Sequence, residues 1–177
     1  MKLRLFLVVA SLGLALRPAG VAGADSAPHP RSPIADLAGF VGGVWTGDLP
    51  PEKDGAKMQI ELRFAWTEDR QSLRFESAFV HGGKRSPYTS GMYAWNAASA
   101  KFVIFYTDFS GSLVQGPVAR DGDFLVHDLT IVDAAGKPDV AQVRLHRTGP
   151  DDFTNTIFLR KNNAWEKFVE VHYHRVP

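Results

Sequence analysis

Met58, Ile60, Leu62, Phe64 and Trp66 alternate without a break with Gln59, Glu61, Arg63 and Ala65. Alternation at period two gathers carbon on one face of an extended chain and polarity on the other, which a helix cannot do. The segment therefore reads as a half-buried strand, and the pattern recurs downstream with turn residues between repeats. Leu73, Phe75, Ser77 and Phe79 lead to Gly82-Gly83, Gly91, Tyr93 and Trp95 lead to Asn96, and Lys101 to Thr107 ends near Ser110-Gly111. Leu113 to Arg120, interrupted at Gly116-Pro117, reaches a hairpin turn at Asp121-Gly122. Phe124 to Val132, Val140 to Arg147, Phe153 to Arg160 and Trp165 to Arg175 follow, the last two joined at Asn162-Asn163.

Ahead of these lies Gly39-Phe40-Val41-Gly42-Gly43-Val44-Trp45-Thr46-Gly47, whose small residues admit a close backbone while Trp45 supplies one large plug. Read as a strand from Phe40, it brings the count to ten strands with no helix of three turns after residue 33. Ten strands joined tightly in order form a meander with two long edges, and pairing the first strand with the last removes both. The expected fold is all-β, a ten-stranded antiparallel up-and-down barrel with a short N-terminal helical turn over Ile34 to Gly39. A two-sheet sandwich is the alternative, and Gly116-Pro117 predicts a bulge or an edge in either.

Residues 1–24 stand apart: Lys2 and Arg4 precede an apolar run from Leu5 to Leu16, and Val21-Ala22-Gly23-Ala24 closes it. That order predicts a secretory signal peptide, because the run falls short of the ~20 apolar residues of a membrane span. Residues 25–33, rich in Pro, Ser and Ala, predict a flexible leader, leaving 34–177 as one barrel domain of periplasmic or secreted location. Loss of Lys2, Arg4 and Arg17 would take 20 basic residues to 17 against 19 acidic ones, and the net charge from +1 to −2. Such a surface gives no electrostatic case for nucleic acid, and no later segment predicts an integral membrane span. With no cysteine, stability rests on packing and backbone pairing, and thiol or cysteine-metal chemistry is excluded.

The Gly43-Val44-Trp45 triplet resembles the G-x-W signature of lipocalins and their calycin relatives. That resemblance implies a Trp at the closed end of the barrel beneath an Arg from a late strand, here Arg175 or Arg160. Thr107-Asp108-Phe109 is similar to the second lipocalin motif, T-D-Y, with Phe for Tyr. Ten strands stand nearer the fatty-acid-binding and nitrobindin-like branches, and Val171-His-Tyr-His-Arg-Val176 is similar to the last strand of nitrobindin-like haem barrels. In that register the haem-ligating His falls at Phe168, whose carbon ring cannot ligate iron, so the resemblance implies the barrel and no haem cofactor.

His127 shares the parity of Leu125, Leu129 and Ile131 and is expected to point inward, either as a hydrogen-bonded core residue or as a polar anchor for a ligand. Trp66, Phe75, Phe79, Tyr93, Trp95, Phe105, Tyr106 and Tyr173 form an aromatic set that either fills the core or lines a pocket. Ligand-binding candidates are His127, Trp66, Phe75, Tyr93, Trp95, Tyr106 and Tyr173, with Trp45 and Arg175 closing the barrel. Glu170, His172 and His174 share one face of the last strand, with the histidines ~7 Å apart along it. Val169, Val171 and Tyr173 make the better inward set, so this polar face is expected in solvent and no metal site is assigned. Asp121-Gly-Asp123 and Asp151-Asp152 read as turn chemistry. With no G-x-S-x-G elbow, H-E-x-x-H helix or phosphate loop, no catalytic residue is assigned. The expected function is interior binding of a small, mostly apolar molecule or lipid. The alternatives are an isomerase or cyclase with His127 as base, a haem or metal redox barrel using His172 or His127, or a filled interaction module.

Overall fold

The computed structural model describes residues 34–51, 55 and 57–177. The signal peptide and leader expected over residues 1–33 lie outside the described residues. Ten strands run in order: β1 Val44–Asp48, β2 Gln59–Trp66, β3 Leu73–His81, β4 Lys84–Asn96, β5 Lys101–Asp108, β6 Leu113–Asp121, β7 Phe124–Val132, β8 Pro138–Arg147, β9 Asp152–Lys161 and β10 Ala164–Val176. Each pairs antiparallel with its neighbour in sequence, and β1 pairs with β10 to close the barrel. The all-β barrel expected from the alternation is the fold. A helical turn, α1 Ile34–Leu37, continues into a short 3-10 turn, Ala38–Phe40. Phe40 is thus helical, and β1 starts four residues later than expected. Two glycines with positive φ, Gly42 and Gly43, turn the chain between them.

Successive hairpins alternate between the two ends. One end carries α1, the start of β1 and the ends of β2, β4, β6, β8 and β10, and it is plugged. Trp45, fully buried, packs its ring 5.0 Å from Phe153 and 5.6 Å from Phe40, and its indole N–H donates to the Phe40 carbonyl at 2.8 Å. Arg175, directly opposite Trp45 in the β1–β10 pair, lies with its guanidinium 4.4 Å from the indole centroid. Its Nη1 donates to Val41 O at 3.1 Å and Gly42 O at 3.2 Å, Nη2 donates to Gly39 O, and Nε sits 3.1 Å from Asp151 Oδ1. Arg160 lies on β9 near the opposite end, so Arg175 is the arginine over the tryptophan. Asp36 of α1 pairs with Arg120 of β6 at 2.8 Å, tying the turn across the same end.

Several local expectations need correction. The β6–β7 loop is Gly122-Asp123, one residue later than Asp121-Gly122, with Gly122 at φ +58° supplying the mirror-image turn. Gly116-Pro117 makes neither a bulge nor an edge. Both residues pair with β5, and the register to β7 is the same on either side of them, Gln115 with Thr130 and Val118 with His127. Pro117 has no N–H to give, and a Cβ on Gly116 would stand 1.9 Å from Asp128 O, so the ladder simply lapses where the backbones crowd. Strand β4 starts at Lys84, well before Gly91, and crosses Pro87 by a bulge that displaces its register to β3. Phe105 faces outward at 41% exposure, since Phe102, Ile104 and Tyr106 take the inward parity of β5.

Replacing Arg175 with Met keeps an apolar stem over Trp45 and removes the guanidinium from three carbonyls. Charged hydrogen bonds and a cation–aromatic contact of this kind predict a loss of about 2–4 kcal/mol, checked by urea unfolding followed through tryptophan fluorescence. Arg175→Lys should recover less than half of it, because one ammonium cannot span carbonyls on three residues.

Candidate functional site

Above the plug the barrel is hollow. The cavity measures about 530 Å³ and opens between Leu49 and Pro50 after β1, Phe79 and Tyr88 at the β3–β4 hairpin, and Phe168 on β10. Its walls come from the inward parity of the strands: Ile60, Leu62 and Phe64 from β2, Ile104 from β5, Leu129 from β7, and Val143 and Leu145 from β8. An apolar, largely preformed cleft of this volume is the usual form of a small-molecule site.

Five of the seven sequence candidates, His127, Phe75, Tyr93, Tyr106 and Tyr173, border this space. Trp66 and Trp95 do not, because they end β2 and β4 on the plugged side and pack against the core beyond the cavity floor. Phe75 meets Tyr93 at 5.4 Å and Tyr106 edge-on at 5.6 Å, and Tyr93 meets the His127 ring edge-on at 5.5 Å. Tyr173 stacks on Phe153 at 4.5 Å, joining the cavity wall to the plug. Burial in carbon raises the phenol pKa values of Tyr93, Tyr106 and Tyr173 above the ordinary value, so all three stay protonated.

Polar groups reach the cavity at few points. His127 is 3% exposed, and its Nε2 is buried without a hydrogen-bond partner. Desolvation pushes its pKa down from 6.5 to about 3. The ring is therefore neutral at physiological pH, and a base this weak is poorly matched to proton abstraction there. Asn155 on β9 likewise presents a buried Oδ1 without a partner. By contrast, Ser77 and Thr89 satisfy each other across β3 and β4 at 2.5 Å.

Three of the lining residues that were not sequence candidates are Asn155, Tyr88 and Phe168. Asn155 was legible, since it shares the parity of Phe153 and Ile157 and is the polar residue of an apolar face. Tyr88 was not, and the alternation that favours Val169, Val171 and Tyr173 put Phe168 outside. Each sits where a strand takes in an extra residue, Tyr88 between the pairs Ala78–Pro87 and Ser77–Thr89, Phe168 between Lys167–Phe158 and Val169–Ile157. Phe168 is 67% exposed, yet both it and Val169 reach the mouth. Beyond this bulge Val171 and Tyr173 are buried and Glu170, His172 and His174 face solvent, as the alternation of β10 predicts. There His172 Nδ1 lies 3.2 Å from Thr154 Oγ1, and Thr156 Oγ1 donates to Glu170 at 3.0 Å. The T-D-F segment serves a turn, with Asp108 Oδ1 accepting from the backbone N–H groups of Ser110 and Ser112 at 2.9 and 3.0 Å.

No protein-family model matches the chain, and no curated protein matches it. Among solved structures it is similar to the crystal structure of Rv2717c from M. tuberculosis, with a TM-score of 0.55 and 15% sequence identity over 85% of this chain and 99% of that one. At that identity the likeness is one of fold alone.

Because the buried His127 resists protonation, the unfolded chain takes up its proton first as the pH falls. The stability it permits is complete above pH 6.5 and drains away toward the folded value of about 3, at about 1.4 kcal/mol per pH unit. A His127→Leu barrel should lose about 2–3 kcal/mol less than wild type between pH 7.5 and 4.5, compared through urea midpoints. Parallel losses would remove His127 as a source of acid sensitivity.

Proposed function

We propose that this chain is a calycin-like barrel that binds a small, mostly apolar molecule in its interior. The carrying observation is a cavity of about 530 Å³, walled mostly by carbon, whose lining includes His127 and Asn155, each with one buried polar atom that has no partner. A filled core would leave no such space, and a buried polar atom with no partner is costly unless something supplies one. Covering ligand carbon stabilises a complex by about 25 cal/mol per Å² removed from water, and the polar atoms fix its orientation. Trp45 beneath Arg175 supports the calycin-like grouping. The charge and apolar order of residues 1–24 supports export to the periplasm or beyond.

Binding is preferred to proton transfer because His127 holds a proton so weakly. A haem reading finds no support at the position where the nitrobindin-like register needs a ligand. Phe168 there offers only carbon and stands at the mouth.

Native mass spectrometry of gently purified protein should show an adduct of a few hundred daltons that organic extraction removes. The extracted protein should then bind N-phenyl-1-naphthylamine with a rise in fluorescence, and Leu129→Trp, which fills the cavity, should abolish it. No adduct across several preparations, together with no fluorescence gain, would overturn the proposal.

A further inference from the structure

The cavity is as informative in what it omits as in what it holds. Among the described residues that line it there is no Lys, Arg, Asp or Glu. The barrel has such residues in quantity, but strand parity turns them outward, where they pair with one another: Arg85 with Glu61, Arg144 with Asp121, Lys167 with Glu170. Two charges near the ends are already engaged. Arg175 lies over Trp45 in the plug, spent on three carbonyls, and Asp108 is held by the Ser110–Ser112 turn at the mouth. Nothing in the cavity balances a ligand charge.

What remains is neutral hydrogen bonding. His127 is more than nine-tenths buried, its ring lines the cavity edge-on to Tyr93, and its buried Nε2 has no partner. Asn155 Oδ1 is the second orphan. The register places it opposite Leu145, with His127 opposite Val143, so β8 stands between the two side chains. Two strand spacings across and two residues along β8 put their backbones roughly 12 Å apart on one wall. An imidazole nitrogen is a donor in one tautomer and an acceptor in the other, whereas a carboxamide oxygen accepts. A hydroxyl or carboxamide head group, which both donates and accepts, answers either.

Resting on the binding reading above, we propose that the cavity selects uncharged ligands whose head group carries a hydroxyl or carboxamide, seated on His127 or Asn155, and rejects carboxylates and ammonium ions on the same carbon chain. An ion entering this space gives up its hydration with no counter-charge, whereas a neutral head exchanges water for one of the two orphan atoms.

The test measures displacement of N-phenyl-1-naphthylamine at pH 7.5 by 1-decanol, decanamide, decanoate and decylamine. Decanol and decanamide are expected to displace the probe at concentrations at least tenfold below those needed for decanoate or the largely protonated decylamine. Both His127→Leu and Asn155→Leu barrels are then tested. At least one should raise the dissociation constant of decanamide about tenfold relative to that of the probe. Decanoate or decylamine binding as tightly as decanamide, or an unchanged ratio in both variants, would overturn the selectivity while leaving interior binding intact. Failure of the probe itself to bind the wild-type barrel would instead remove the interior-binding reading.

Discussion

Closure of β1 onto β10 carries the rest of the architecture, and it is held by Arg175 lying over Trp45 while its guanidinium gathers carbonyls of Gly39, Val41 and Gly42. Without that pairing the sheet has two open edges and the inward faces have no common interior. With it, one end is sealed by aromatic packing. The turn that leads into β1 is attached at the same place by Trp45 Nε1 and by the Asp36–Arg120 pair.

A consequence of concentrating the packing at one end is that the other can stay hollow. Phe40, Trp45, Phe153 and Tyr173 form a continuous chain of ring contacts through the plug, edge-on or tilted except where Tyr173 stacks on Phe153. Above it the same inward parity that builds the core builds the wall of a cavity, because a barrel of this size has more lumen than its side chains fill. The chemistry of that wall follows from alternation too. Strands that send charge to solvent at every second residue send none into this wall, so the tyrosine hydroxyls, His127, Asn155, Ser77 and Thr89 are its polar groups. Ser77 finds Thr89, whereas His127 Nε2 and Asn155 Oδ1 find no partner among the described residues.

The last strand shows how a single extra residue reconciles two readings of one segment. Counting back from Arg175 puts Tyr173, Val171 and Val169 inside, and the nitrobindin-like register puts Phe168 inside. The bulge at Phe168 lets both be near the mouth. The corresponding irregularity in β4 brings Tyr88 to the same rim, where it stacks on Phe79 at 4.3 Å.

The sequence by itself determined the strands, their order and their inward faces, because period two and turn residues are local properties of a chain. It also determined that Trp45 would be a plug and that His127, Phe75, Tyr93 and Tyr173 would point inward. Tertiary structure alone decided what depends on strand tilt and on the partner across the sheet. Trp66 and Trp95 share the inward parity of those residues yet fall below the cavity floor. Phe105 was misread within an unbroken apolar run that gave no parity of its own. Bulges, the lapse at Gly116-Pro117 and a lumen that side chains do not fill are likewise settled by backbones meeting across the sheet, so no stretch read alone contains them.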